Sequence, residues 1–423
     1  MTRISPKQRP LTFLGPRPPR FRQTLTALGA LLSLAPPLLA DSPPSVPVPR
    51  TPEGVELEHL TIEDGLSHST VWDVLQDRQG FLWFATNGLL QRYDGYKFRS
   101  FRHDPEDPGS VTSGKIMEIF EDRRGMLWLA TRSQGIDRFD PATQRFTHFV
   151  PDPDDPASLP DGRVRAFHED RSGALWIGSY AGLHRFEPAT GSFIHYRHDP
   201  DNPDSISPST VSAIFEDSHG DFWIGHGLGL DHFDRSAETF IHHHHDPEDP
   251  DSLSDGRVHT LFEDSSGELW IGAERLNRFD RQRNAFVRHT LAASDSIRVN
   301  TILEDGDGEL WIGTFRDGIF RTDRAAPGQE ADASGERFIH FRHDPEDRSG
   351  LGSNQTLALW QDRTGILWIA HRDGVDKYDR RRERFVKYRR GESELPPTAD
   401  SAGSSPIRMG SSTPPTIPTT ATA

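Results

Sequence analysis

Apolar residues recur along this chain in short runs. Each run is broken by Asp, Gly, Ser or Pro before it reaches the length of an ordinary helix. One stretch, "EDSSGELWIGAERLNRFD" (Glu263–Asp280), holds the whole alternation: an acidic pair, a glycine turn, an apolar run around Trp270, and a second run ending in Phe279-Asp280. The word Asp-x-x-Gly-x-x-Trp occurs seven times, with its tryptophans at Trp83, Trp128, Trp176, Trp223, Trp270, Trp311 and Trp368. Their spacings are 45, 48, 47, 47, 41 and 57 residues, the last lengthened by the insertion "AAPGQEADASG" around Gly328. A period of this size built from short strands predicts one four-stranded blade per repeat, and hence an all-β, seven-bladed β-propeller.

Each repeat divides into four strands. The first is a short apolar run such as "VHTLFED" (Val258–Asp264). A tight turn follows, whose Asp accepts backbone hydrogen bonds and whose Gly supplies a positive φ. The second strand carries Trp, an apolar residue and then Gly or Ala, as in Trp176-Ile177-Gly178: a ring to fill the space between sheets, and a small residue to admit the neighbour. The third ends in an aromatic residue, as in Arg138-Phe139-Asp140, although the sixth repeat has Thr322 there. The fourth opens with Phe98, Phe146, Phe193, Phe240, Phe286, Phe338 or Phe385 and has a second ring three residues on. Residues three apart on a strand face opposite sides, so both faces are apolar, as a blade between two others requires. An eighth copy of the fourth-strand word, "LEHLT" (Leu57–Thr61), precedes the first repeat. It is predicted to close the ring beside Gly374–Tyr378, leaving "FVKY" (Phe385–Tyr388) surplus.

These words resemble the two-component regulator propeller repeat. The likeness is carried by "GLSHSTVWDVLQDRQGFLWFATNGLLQRYDG" (Gly65–Gly95) and the later "LWIGT…DGIF" runs, and covers about residues 55–390. In that family the propellers form the periplasmic sensor of hybrid histidine kinases or diguanylate cyclases. Two seven-bladed propellers, a small β-sandwich domain and a membrane helix usually precede the output. The resemblance implies recognition of a small molecule, often glycan-derived, and a signalling output protein as partner. This sequence holds one set of seven repeats and contains no kinase histidine box, so what carries over is the sensor module.

Composition narrows the reading. A net charge of −16 lacks the basic footprint of a nucleic-acid binder, and the absence of cysteine removes disulfides and thiolate chemistry. Residues 1–40 join a basic stretch (Lys7 to Arg22) to the apolar "LTALGALLSLAPPLLA" and read as a secretory signal cleaved near Ala40. Membrane attachment is expected only if that signal stays uncleaved. Residues 41–54 read as a linker, and the Ser/Thr/Pro-rich residues 391–423 as a disordered tail.

No catalytic motif is present, and neither a cofactor nor a metal is expected: there is no G-x-S-x-G, H-E-x-x-H or P-loop lysine. The run His242–His245 reads as an exposed outer strand, since alternate residues face opposite sides. The loop refrain "HDPEDP" (His103–Pro108, His245–Pro250) clusters carboxylates that could hold calcium, but without EF-hand spacing. The stronger candidate is the channel mouth. Polar residues flank the first apolar residue of the inner strands: Lys115, Arg163 and Arg165, Arg257 and His259, Arg298 and Asn300, with Trp72 in the first repeat. Basic groups gathered at one mouth of an acidic protein point to an anionic or hydrogen-bond-rich ligand, with Trp72 available to stack on a ring. Asp73 and Glu118 are the acids within the inner strands and read as structural. Two other readings stay open: an interaction scaffold using the rim, and an enzyme of the streptogramin-lyase or glycan-cleaving kind, which shares this architecture.

Overall fold

The structure, a computed structural model, describes residues 57–292, 297–323 and 336–380. The predicted signal, linker, insertion, surplus strand and tail lie outside them. Seven antiparallel sheets of four strands are present. Their inner strands are Val71–Gln76, Ile116–Glu121, Val164–Glu169, Val211–Glu216, Thr260–Glu263, Val299–Glu304 and Thr356–Gln361, and they define blades 1 to 7. Each inner strand packs on the next and the last packs on the first, so the blades close into a ring. The closing strand lies where the sequence predicts. Leu57–Leu60 pairs antiparallel with Gly374–Tyr378, in the register Leu57 to Tyr378 through Leu60 to Val375.

Every part of the repeated word has a bonding role. Oδ1 of the turn Asp accepts two backbone N–H groups, as Asp77 does from Gln79 and Phe81 at 2.9 Å each. Its Oδ2 accepts the indole N–H of the Trp six residues on, at 2.7–2.9 Å in all seven blades. The residue before that Asp fastens the blades to one another. Glu121, Glu169, Glu216, Glu263 and Glu304 each accept a backbone N–H from the turn of the preceding blade, at 2.7–2.9 Å. Gln361 and Gln76 do the same at 2.9 Å, and Arg363 N–H to Gln76 completes the circle across the seam. The result is a closed belt of seven inter-blade bonds, one for each acidic or amide residue of the word.

Packing follows from the same word. The Trp of one blade meets the third-strand aromatic residue of the next edge-on or tilted: Trp128 with Phe186 at 5.0 Å, Trp223 with Phe279 at 5.1 Å, Trp311 with Tyr378 at 5.1 Å. A Cβ on Gly178 or Gly225 would lie 2.7 or 2.6 Å from Cγ1 of Val211 or Val258 in the neighbouring blade, so the small residue is required by close approach. Thr322 is more than drift from the pattern. Its buried Oγ1 accepts the N–H of Leu310 and donates to Glu309, while Trp270, deprived of the usual aromatic partner, packs on His289 at 4.9 Å.

Candidate functional site

The inner strands do not run straight into the ring. Six of them shift register after their first residue, as between Val71 and Asp73 or between Val164 and Ala166. The displaced residue turns toward the axis. Trp72, Arg165 and Asn300 occupy such bulges, and His259 holds the matching place in blade 5. All four line a central cavity of about 550 Å³. Lys115, Arg163, Arg257 and Arg298 stand two residues before these positions, just ahead of the inner strands, and are not part of that wall. The predicted set is therefore two tiers, one at the mouth and one within the channel.

Their environments differ. The Trp72 indole donates to Asn87 at 2.8 Å, and Lys115 Nζ sits 5.6 Å from its ring, so one face is already covered. Arg163 is exposed, paired with Asp161 at 2.5 Å and stacked on Tyr180 at 4.2 Å. Its charge is answered locally, which weakens its case as a ligand contact. Asn300 Nδ2 donates to the Thr356 carbonyl of blade 7 at 2.9 Å and so ties two blades.

The remaining cations are less well matched. Arg298 stacks on Phe315 at 4.3 Å. The Nε groups of Arg165 and Arg298 are buried and donate to nothing among the described residues. Burial depresses the Arg165 guanidinium, and Arg257 adds to the effect. Burial also depresses Arg298; Glu274 opposes this, and Arg257 and Arg165 add to it. His259 lies among all three: burial first, then Arg298, Arg257 and Arg165, push it down to about 3, so its imidazole is neutral at physiological pH.

Two acids that the sequence marked as structural also line the channel. Asp73 does have a structural role, accepting the N–H of Val74 at 2.8 Å and of Ile119 in the next blade at 2.7 Å. Burial nevertheless raises it to about 7. Glu118 accepts the Phe167 N–H at 3.4 Å and is raised well above its usual range, by burial first and then by Asp73. The channel wall thus holds acids on blades 1 and 2 and Arg165 on the adjoining blade 3, with Arg257 and Arg298 of blades 5 and 6 outside that wall.

The outer histidines are not merely exposed, which corrects the sequence reading. His148, His242 and His59 point inward and bond Asp137, Asp231 and Asp376, each at 2.7 Å. His243 is half-buried beside Trp223 and Phe286. His226, Asp231 and His244 come close enough together to suggest a metal site. The hydrogen bonds argue otherwise. His226 Nδ1 accepts the N–H of Leu228, so the ring proton is on Nε2, 3.1 Å from Asp231, and His226 turns no lone pair toward the cluster. Blade 7 repeats the arrangement: Asp373 N–H donates to His371 Nδ1, while His371 Nε2 lies 3.0 Å from Asp376. The loop carboxylates likewise cap their own backbone, Asp104 accepting from Glu106 and Asp107 from Gly109, each at 3.0 Å.

A seven-bladed propeller with a charged axial channel is the class that fold and site define. Comparison with known proteins then places the repeats. The family described as "Two component regulator propeller" matches residues 65–88, 158–181, 205–227, 252–275 and 293–316. Five of the seven repeats thus match the family that the sequence words indicated. It is similar to the extracellular domain of a hybrid two component system from B. thetaiotaomicron, with a TM-score of 0.65, 25% identity, and coverage of 77% of this chain and 42% of that one. A curated relative, "Histidine kinase P4" of Formosa agariphila, is 45% identical over 49 residues, which are 12% of this chain and 4% of that protein. The chain therefore spans less than half the length of either. Virginiamycin B lyase from Staphylococcus aureus shares the fold, with a TM-score of 0.56, 14% identity, and coverage of 76% of this chain and 98% of that one. Among the described residues no helix is long and apolar enough to cross a membrane.

Proposed function

We propose that the chain is an exported, periplasmic ligand-binding sensor propeller of a two-component type system, non-catalytic itself and acting with a signalling output domain or protein. The repeats and the likeness to an extracellular sensor domain support the class. The observation that carries ligand binding is the channel: a cavity of about 550 Å³ lined by Arg165, whose buried Nε has no acceptor among the described residues, with Arg257 and Arg298 close enough to depress its charge or one another's. Clustering like charges costs stability, Glu274 and Glu118 offset part of it, and a bound anion offsets more. The lyase likeness, at 14% identity, concerns the fold alone. The test is thermal-shift screening of a small-molecule library against the parent protein and the Arg165→Ala/Arg257→Ala double variant. Ligands that stabilise the parent should lose their effect on the variant while its own melting temperature stays within a few degrees. Ligands that stabilise both equally place the site elsewhere. Fractionation finding the full-length protein in the cytoplasm would refute export.

A further inference from the structure

The channel wall carries acids on blades 1 and 2 and Arg165 on the adjoining blade 3, with two further arginines just ahead of the inner strands of blades 5 and 6, and this says more about the ligand than that it is small. Resting on the reading above, we infer that the ligand is amphoteric: a free amino acid or short peptide, its carboxylate on the arginine side and its ammonium between Asp73 and Glu118.

The ring order places the groups. Asp73 and Glu118 stand at matching positions on the inner strands of neighbouring blades 1 and 2, each one residue beyond its bulge. Arg165 and His259 line the same cavity from blades 3 and 5, with Arg257 and Arg298 above them at the mouth of blades 5 and 6. The acids have backbone donors but no cation bonded to either of them among the described residues. Arg165 acts on Glu118 through space only, and the segments of blade 7 that reach the channel add Leu357, Ala358 and Trp360, which carry no charge.

Two neighbouring half-buried carboxyls with no cation bonded to either among the described residues resist ionising together. A ligand ammonium placed between them supplies the missing charge, so ionisation becomes favourable and a proton leaves. On the other side, buried arginine N–H groups without acceptors are matched by a carboxylate. A neutral sugar can hydrogen-bond to both sides but brings no charge to either. Of the aromatics lining the cavity, Trp72 already has Lys115 over its ring.

The test uses isothermal titration calorimetry with the twenty common amino acids, a set of dipeptides, their N-acetylated and C-amidated derivatives, neutral monosaccharides and simple dicarboxylates. At least one free amino acid or dipeptide should bind. N-acetylation and amidation should each weaken that ligand by about tenfold or more, the loss of one charge-assisted contact. Binding heats near neutral pH should vary with the ionisation enthalpy of the buffer, reporting proton release. Glu118→Gln should reduce that buffer dependence and weaken the free amine form more than the N-acetyl form. Asp73→Asn, which risks the blade 1 to blade 2 bond, serves as the second variant. If a sugar or dicarboxylate binds in an Arg165-dependent way and no amino acid or dipeptide does, the amphoteric assignment falls and the ligand-binding reading stands. If none binds and the arginine double variant also leaves every thermal-shift hit unchanged, both fall.

Discussion

The bond between each turn Asp and its Trp can be tested by comparing two blades in which the same substitution has different consequences. In blade 2, Asp122 Oδ2 accepts only the Trp128 indole among the described residues, at 2.8 Å. In blade 3, Asp170 Oδ2 accepts the Trp176 indole at 2.9 Å and also Nη1 of Arg235 at 3.1 Å. Both tryptophans are 2% exposed, so replacing either by Phe removes a similar ring volume and leaves a similar cavity. The packing loss therefore largely cancels in the comparison. What differs is the carboxylate. Trp128→Phe strands a buried acceptor, at a cost of about 1–3 kcal/mol, whereas Trp176→Phe leaves Asp170 its arginine. Trp128→Phe should be the less stable variant by about 1–2 kcal/mol once partial access of water to Asp122 is allowed for. Urea unfolding followed by far-ultraviolet circular dichroism measures this as a lower midpoint with an unchanged slope. Equal midpoints, or a lower one for Trp176→Phe, would refute the view that the indole bond satisfies the Asp rather than merely accompanying packing.

Two further outcomes follow from local geometry. Gly135 and Gly365 both have positive φ, +84° and +87°, but a Cβ on Gly135 would lie 2.1 Å from the Phe149 carbonyl oxygen while one on Gly365 meets nothing within 4 Å. Gly365→Ala should cost about 1 kcal/mol, the backbone penalty alone, and Gly135→Ala clearly more; thermal melts showing equal loss would count against the close approach of Phe149 to Gly135 in blade 2. The seam should also be pH-sensitive. The hydrogen bond to Asp376 raises His59 above its ordinary 6.5, so its contribution is complete below that value and fades as pH rises through the raised one. Burial opposes ionisation of Asp376, but bonds from His371 and His59 hold it down to about 2, so its contribution is present above 3.8 and fades as pH falls toward 2. The difference in melting temperature between the parent and His59→Ala should be largest between these limits and shrink in alkali. A difference independent of pH would show that His59 acts by packing alone.

The strands, the blade count and the closing segment were legible because they depend on period and on repeated words, which one strand displays by itself. Leu57 and Leu60 copied an outer-strand spacing, and that copy was enough to place them beside Gly374–Tyr378. Bonds between blades were harder to see. Glu169 looked like half of an acidic pair at a turn, yet its partner is the N–H of Arg123, 46 residues away, and no spacing within one repeat reveals it. The mouth residues were found from their polarity, but the bulge that turns Arg165 into the channel and leaves Arg163 outside is a matter of register with Ser179. Asp73 and Glu118 were set aside because a lone acid in a strand is ordinarily a local hydrogen-bonding group. Only the ring brings them onto neighbouring blades of one channel wall.

The closing strand also imposes an order on assembly. His59 and Asp376 are 317 positions apart, so a chain emerging from its N terminus makes half of this contact almost at the start and must wait nearly to the end for the other half. Until then Leu57–Leu60 is a strand without a neighbour, and the Phe84 side of blade 1, later covered by Trp368 at 5.9 Å, faces solvent. A truncation before Tyr378 would remove more than the last blade, because it would leave the first one with an uncovered face. Early and late residues are thus equally indispensable. Opening the chain between blades, as in a circular permutant, should therefore cost less than shortening it at either end of the ring.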